Sequence, residues 1–139
     1  SCFFRPRSWP PRNIIEGDFV AFGGFPRKWR WQASPEMFDF GSFSNGASRV
    51  TSVREEYFVC QFERQYWIES QGPYLPLYDI ENGKDLYDFG GLSGGPVFIL
   101  RQGELYPEFV GIIYEYCPLD LMKMRPAKFI SESGSISRP

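Results

Sequence analysis

Residues 88–100, DFGGLSGGPVFIL, have the most distinctive local pattern in the chain. Glycines lie on both sides of Ser93, with only Leu92 between, and such a stretch favours a tight turn that leaves one hydroxyl exposed. Pro96 and the β-branched and aromatic residues after it predict a short strand. The chain contains no histidine. Any proton transfer from Ser93 therefore needs another source of a base.

Composition limits the class of protein. At 139 residues the chain fits one domain with a substantial core. Its 42% hydrophobic and 23% charged residues argue against disorder, and no apolar run reaches the roughly 20 residues of a membrane-spanning helix. A soluble protein with no membrane partner is expected. Fifteen basic and seventeen acidic residues give a net charge of −2, so nucleic acid is not an expected partner either.

The cysteines indicate a reducing compartment. Cys2, Cys60 and Cys117 are odd in number, widely spaced and match no metal-ligand pattern. We expect free thiols in the cytoplasm and neither a metal nor another cofactor. One disulfide stays open as an alternative, because a signal peptide could have preceded Ser1. The chain lacks an initiator methionine, which indicates a fragment.

The residue pattern predicts short strands and tight turns. Residues 1–12, SCFFRPRSWPPR, have no period and predict an extended lead-in or interdomain linker, with the folded unit at residues 13–139. Strands are predicted at residues 18–22, 37–43, 48–53, 57–63, 96–100 and 109–116. Asn45-Gly46 predicts a hairpin turn. Only residues 119–130 could hold a helix, which Pro126 would limit to short pieces. The sequence thus predicts an all-β barrel or sandwich.

Two hydrolase patterns include Ser93. Gly91-Leu92-Ser93-Gly94-Gly95 fits the G-x-S-x-G elbow of the α/β hydrolases, in which a helix follows the serine. Residues 96–100 carry no helical stripe, and no histidine follows the serine, so this pattern is rejected. The other pattern fits better: GGLSGGPVFIL, followed after one turn by EFVGIIYEY, resembles the G-x-S-G-G-P loop and strand pair of trypsin-like (chymotrypsin-fold) serine peptidases.

This resemblance implies a fold, a function and a site. The fold would be a single six-stranded antiparallel Greek-key barrel, the C-terminal half of a two-barrel endopeptidase that cleaves peptide or protein substrates through an acyl-enzyme on Ser93. The N–H groups of Gly91 and Ser93 would form the oxyanion hole. The substrate-binding residues would be Tyr87, Asp88 and Gly90 at the specificity pocket, and Tyr114, Glu115 and Tyr116 on the edge strand.

The resemblance also explains the missing base and leaves alternatives open. In the family, histidine and aspartate come from the first barrel, so the predicted partner is a missing N-terminal barrel and the chain alone should be inactive. Leu92 replaces the acid that many secreted members use in zymogen activation. The alternatives are a lysine base, a non-catalytic peptidase-like or peptide-binding barrel, and an unrelated β module. The exposed Ser93 face could also form a homodimer, or be covered by SCFFRPRSW.

Overall fold

A computed structural model describes residues 6, 8–25, 30–40, 43–61, 67–69, 78–79, 84–85, 92–117 and 121–137. This part of the chain contains eleven strands and one 3-10 turn. The strands are β1 (Phe19–Gly24), β2 (Arg30–Ser34), β3 (Met37–Phe40), β4 (Phe43–Val53), β5 (Phe58–Gln61), β6 (Trp67–Glu69), β7 (Tyr78–Asp79), β8 (Lys84–Asp85), β9 (Pro96–Ile99), β10 (Glu108–Cys117) and β11 (Leu121–Pro126). The 3-10 turn is Ala127–Phe129.

Six of these strands form a closed antiparallel barrel. Around the barrel the order is β1, β4, β5, β11, β10 and β9, and the pairing of β1 with both β4 and β9 closes the ring. The first three barrel strands in the chain are neighbours and the fourth, β9, returns beside the first, which is the Greek-key order. Strand β6 extends the sheet at β4, while β2–β3 and β7–β8 form separate pairs. The predicted all-β, six-stranded barrel with a short helical piece near the C-terminus is confirmed.

Alternating side chains fill the barrel interior. Inward and outward positions alternate along a strand, so a short barrel strand places about two side chains inside. The buried apolar residues of the barrel strands are Val20, Phe22, Val50, Phe58, Cys60, Val97, Ile99, Val110, Ile113, Met122 and Met124. Burying each large apolar side chain contributes about 1.5–3 kcal/mol. The barrel therefore has one continuous hydrophobic core.

The segment that precedes β1 contacts the barrel end opposite Ser93. The Trp9 indole N–H donates to the Ile130 carbonyl at 3.0 Å, and its ring stacks on Phe109 with centroids 6.0 Å apart. Ile14 packs against the core, and the Gly17 N–H donates to the Val50 carbonyl at 2.8 Å. The domain boundary between residues 12 and 13 stays a prediction, but packing on the barrel begins before it.

The hairpin turn predicted at Asn45-Gly46 is wrong. Strand β4 continues through both residues, because Asn45 pairs with Phe22 on one side and Trp67 on the other. Strand pairing on two sides overrides the local turn preference of Asn-Gly. The chain turns instead at Pro35-Glu36, between β2 and β3.

The region where a helix was considered is mostly strand. Met122 and Met124 alternate into the barrel from β11, and only Ala127–Phe129 forms a 3-10 turn. The alternation predicted at residues 57–63 is confirmed for Phe58 and Cys60, whereas residues 62 and 63 lie outside the described part.

Two of the three predicted free thiols lie in the described part of the chain. Cys60 is buried and Cys117 is partly buried, and neither forms a disulfide there, while Cys2 lies outside that part. Burial raises the pKa of the Cys60 thiol, which keeps it protonated.

No helix in the described ranges has the length and apolar character needed to cross a bilayer.

The hydrogen bonds of Glu108 should make the stability of the protein depend on pH. Its side chain is 19% exposed and accepts hydrogen bonds from the Arg12 backbone N–H at 2.9 Å and from Arg101 Nε at 3.2 Å. Burial alone would raise the Glu108 pKa, but the hydrogen bonds from the backbone and side chain of Arg12 and from Arg101, together with the positive charge of Arg101, outweigh it and lower the pKa. A carboxyl whose pKa is lower in the folded state stabilises the protein above its unfolded pKa, and this stabilisation is lost as the pH falls through its folded pKa.

We therefore expect Glu108→Gln to lower the free energy of unfolding by about 1 kcal/mol at pH 7. The difference from the parent chain should shrink as the pH falls from the ordinary glutamate pKa of about 4.3 through the lower folded-state pKa of Glu108, below which the carboxyl of the parent is protonated. Urea unfolding at several pH values measures both. Glu55→Gln is the control, since Glu55 is 87% exposed in its contact with Lys128 and should change stability little. A Glu108→Gln loss of equal size at every pH would contradict the argument.

Candidate active site at the Ser93 turn

Ser93 occupies a four-residue turn that leads into β9. The turn is closed by a hydrogen bond from the Gly95 N–H to the Leu92 carbonyl at 2.9 Å. Gly94, the third residue, has a φ of +89°, as a type II turn requires and as glycine adopts without strain. Ser93 therefore lies at the second turn position, and its side chain is exposed.

Backbone contacts hold this turn against two barrel strands. The Gly94 N–H donates to the Ile113 carbonyl at 2.8 Å, and the Ile113 N–H donates to the Gly95 carbonyl at 2.8 Å, so the turn continues the pairing of β9 with β10. On its other side the turn meets the end of β1. A Cβ atom at position 95 would overlap the Gly23 carbonyl oxygen. The second glycine after the serine is thus required by close packing.

The Ser93 hydroxyl faces an irregularity in β10. Ser93 Oγ donates to the Tyr114 carbonyl at 3.3 Å. Ile113 pairs with Met124 and Glu115 pairs with Lys123, so Tyr114 is an extra residue in a β-bulge. Bulges redirect backbone and side-chain groups and are common beside functional sites. The bulge gives the Tyr114 carbonyl a position outside the ladder with β11, beside Ser93.

The backbone N–H of Ser93 is available for a ligand. Within the described residues, no atom accepts a hydrogen bond from it. Its neighbours Gly94 and Gly95 both donate within the barrel, so among residues 93–95 only the Ser93 N–H has no acceptor in the described part of the chain. An unpaired amide beside an exposed hydroxyl can stabilise the oxyanion that forms when the hydroxyl oxygen adds to a carbonyl carbon.

The structure brings together part of the predicted site. Tyr114, Glu115 and Tyr116 are consecutive on β10, and Tyr114 contacts Ser93 directly. The Glu115 carboxylate lies 3.9 Å from Lys123 Nζ, a loose ion pair on the outer surface of the barrel. Four predicted residues lie outside the described part of the chain: Tyr87, Asp88, Gly90 and Gly91. Their roles at the specificity pocket and the oxyanion hole stay predictions.

The sequence analysis did not predict one contact at the site, between Arg125 and Tyr114. The Arg125 guanidinium lies over the Tyr114 ring, 4.5 Å from its centroid, and 5.7 Å from the Phe129 centroid. Arg125 Nη1 also donates to the Glu56 carbonyl at 2.7 Å. A cation over an aromatic face contributes about 0.5–1 kcal/mol at an exposed site. Only the bulged register of β10 and β11 shows this contact, which no sequence spacing indicates.

No base lies on Ser93 in the described part of the chain. There the hydroxyl has one hydrogen-bond partner, the Tyr114 carbonyl, which cannot take a proton at neutral pH. Lys123 contacts Glu115 and the Tyr57 ring, and Lys128 donates to Glu55 at 3.0 Å. The described residues also contain no group of three or more acidic, cysteine or histidine side chains that could hold a metal ion. Neither of these two lysines is therefore placed as the base.

Comparisons with protein-family models, with curated proteins and with solved structures find no match for this chain. The likeness to trypsin-like peptidases therefore depends on the Ser93 motif and on the barrel itself.

The close packing of Gly95 against the Gly23 carbonyl can be tested by substitution. Gly95→Ala places a methyl group on the Gly23 carbonyl, so we expect a loss of about 1–3 kcal/mol in the free energy of unfolding. Gly46→Ala is the matched control, because a Cβ there meets nothing within 4 Å and the change should be neutral or stabilising by up to about 1 kcal/mol. Urea unfolding compares the two variants. Equal stabilities would show that the turn does not pack on β1 as described.

Proposed function

We propose that this chain is the half of a serine endopeptidase that carries the nucleophile and the oxyanion hole. One observation supports the proposal most: on a glycine turn at the end of a closed Greek-key barrel, Ser93 has both an exposed hydroxyl and a backbone N–H without an acceptor among the described residues. Serine nucleophiles need both an open approach to Oγ and nearby donors for the oxygen that becomes negative.

The chemistry follows from these two groups. Ser93 Oγ attacks the carbonyl carbon of a peptide bond, a C–O bond forms, and the carbonyl electron pair moves onto the oxygen. The Ser93 N–H, with the Gly91 N–H that the resemblance assigns, stabilises that oxyanion by roughly 3–4 kcal/mol per donor. Collapse breaks the C–N bond and releases the amine, which takes up the proton that left Ser93. Water then attacks the acyl-enzyme and releases the acid.

The end of β10 is the proposed place for the substrate backbone. Strand β9 pairs with β10 only as far as Ile112, and the turn adds a pairing at Ile113. Tyr114 and Glu115 lie beyond these pairings on the side of Ser93. An extended peptide that adds to a strand gains main-chain hydrogen bonds, and specificity then comes from its side chains. Asp88 and Glu115 could select a cationic side chain or be solvated rim carboxylates.

The proton acceptor is proposed to come from outside the chain. The resemblance assigns the histidine and aspartate to a preceding barrel, which would bind the Ser93 end of this one. A serine without a base is a weak nucleophile. A second candidate is a non-catalytic peptide-binding barrel, and it is favoured by the Ser93 hydroxyl donating to a carbonyl, with no base on it in the described residues. A homodimer through the same face remains part of that second candidate.

An active-serine probe tests the proposal. A fluorophosphonate forms a bond to a serine Oγ only when a base removes its proton, so the isolated chain should stay unlabelled. The chain expressed with the coding sequence that precedes Ser1 should be labelled at Ser93, as peptide mapping by mass spectrometry can show. Ser93→Ala is the negative control, and Ser52→Ala removes a serine of β4 that should not matter.

Three outcomes separate the candidates. Labelling only with the preceding sequence supports the peptidase half. Specific labelling of Ser93 in the isolated chain would show that a base exists within these 139 residues and would overturn the missing-barrel part. No labelling in either form, together with saturable binding of a peptide, would favour the non-catalytic barrel.

A further inference from the structure

Leu92 has an unusual position in the Ser93 turn. Its side chain is 1% exposed and belongs to the barrel core, whereas its neighbours Ser93 and Gly94 are exposed. It is thus the one turn residue with a side chain inside the barrel. A turn rich in glycine loses much conformational entropy when it becomes ordered, so it needs contacts that fix its shape.

We propose that Leu92 is a positioning residue, whose buried side chain against Gly24 fixes the turn that presents the Ser93 hydroxyl and N–H. Its significance for catalysis depends on the proposed function. Under this proposal the turn is set by apolar packing inside the chain and needs no newly formed charged group to order it. The serine loop would therefore be in its working shape before any partner binds.

The close contact between Leu92 and the end of β1 is the main observation that supports the proposal. A Cβ at position 24 would lie 2.8 Å from Leu92 Cδ2, and 3.7 Å from both the Cα and the carbonyl oxygen of Leu92. The last residue of β1 is therefore in close contact with the Leu92 side chain and near its backbone. The Leu92 carbonyl in turn accepts the hydrogen bond that closes the turn. A displacement of the side chain is thereby transmitted to the residues around Ser93.

This geometry offers a way to move Leu92 without removing it. In Gly24→Ala the new methyl group meets the far end of a flexible side chain first, so the Leu92 side chain must shift. Leu92→Val removes the Cδ atoms and leaves room for that methyl group. The two changes together should fit where the first alone does not. A residue that only adds to core stability would show no such specific rescue at the turn.

The test measures amide hydrogen exchange by NMR in the chain as it stands. The reporters are the Gly94 and Gly95 N–H groups, which donate to the Ile113 and Leu92 carbonyls. We expect Gly24→Ala to speed their exchange about tenfold or more through local opening, and Gly24→Ala with Leu92→Val to return it to within about threefold of the parent. The Met124 N–H, in the ladder between β10 and β11, reports on the rest of the barrel and should be unchanged.

Two controls separate positioning from general destabilisation. Gly46→Ala adds a methyl group in open space and should leave all these rates unchanged. Ile99→Ala removes a buried aliphatic side chain at the other end of β9, so it should lower global stability without a selective effect on Gly94 and Gly95.

The proposal is overturned if Gly24→Ala leaves the Gly94 and Gly95 rates unchanged, or if Leu92→Val fails to restore them. It is also overturned if Ile99→Ala speeds the same two amides equally, because the effect would then be global. Exchange rates require no catalysis. Failure of Ser93 labelling would therefore remove the peptidase function while leaving Leu92 as the residue that orders the turn.

Discussion

The pairing of β1 with β4 closes the barrel and so encloses its hydrophobic core. It turns a curved sheet into a ring. Strand β1 also pairs with β9, and this second pairing brings Gly23 and Gly24 beside the turn that precedes β9. In an open sheet β9 would still lie between β1 and β10, but the face on which Leu92 packs would be open to water. In the closed barrel Leu92 fills the end of the core. The pairings of β9 therefore position the Ser93 turn, and closure of the barrel buries the Leu92 side chain beneath it.

Two irregularities in β10 adapt the barrel to this arrangement. A Cβ at Gly111 would overlap the Arg125 carbonyl oxygen, so a glycine is needed for β10 and β11 to approach each other. A few residues later the bulge at Tyr114 removes one residue from the same ladder. The first irregularity draws the strands together, and the second releases a carbonyl towards Ser93. Regular pairing along the whole of β10 would satisfy that carbonyl within the sheet.

The sequence predicted those parts of the fold in which local pattern and barrel packing agree. Phe58 and Cys60 alternate with the less buried Tyr57, Val59 and Gln61, and the glycines around Ser93 indicate a turn, so both features were predicted. The hairpin turn predicted at Asn45-Gly46 was wrong, because a strand paired on both sides overrides a turn preference. The contact of Arg125 with Tyr114 depends on the bulged register, which side-chain patterns do not reveal. Strand alternation and the Ser93 turn could thus be predicted from the sequence, whereas contacts that depend on strand register could not.

The state of the Ser93 hydroxyl links the geometry to the missing base. Its hydrogen bond to the Tyr114 carbonyl is 3.3 Å long, beyond the 2.5–3.0 Å usual between a hydroxyl and an oxygen acceptor. Such a contact orients the hydroxyl weakly and cannot remove its proton. A stronger acceptor that approached from the solvent could replace the carbonyl at little cost, since the serine side chain is exposed. The turn therefore keeps Ser93 in place and protonated, and under the proposed function its activation would depend on an acceptor that reaches the hydroxyl from the solvent.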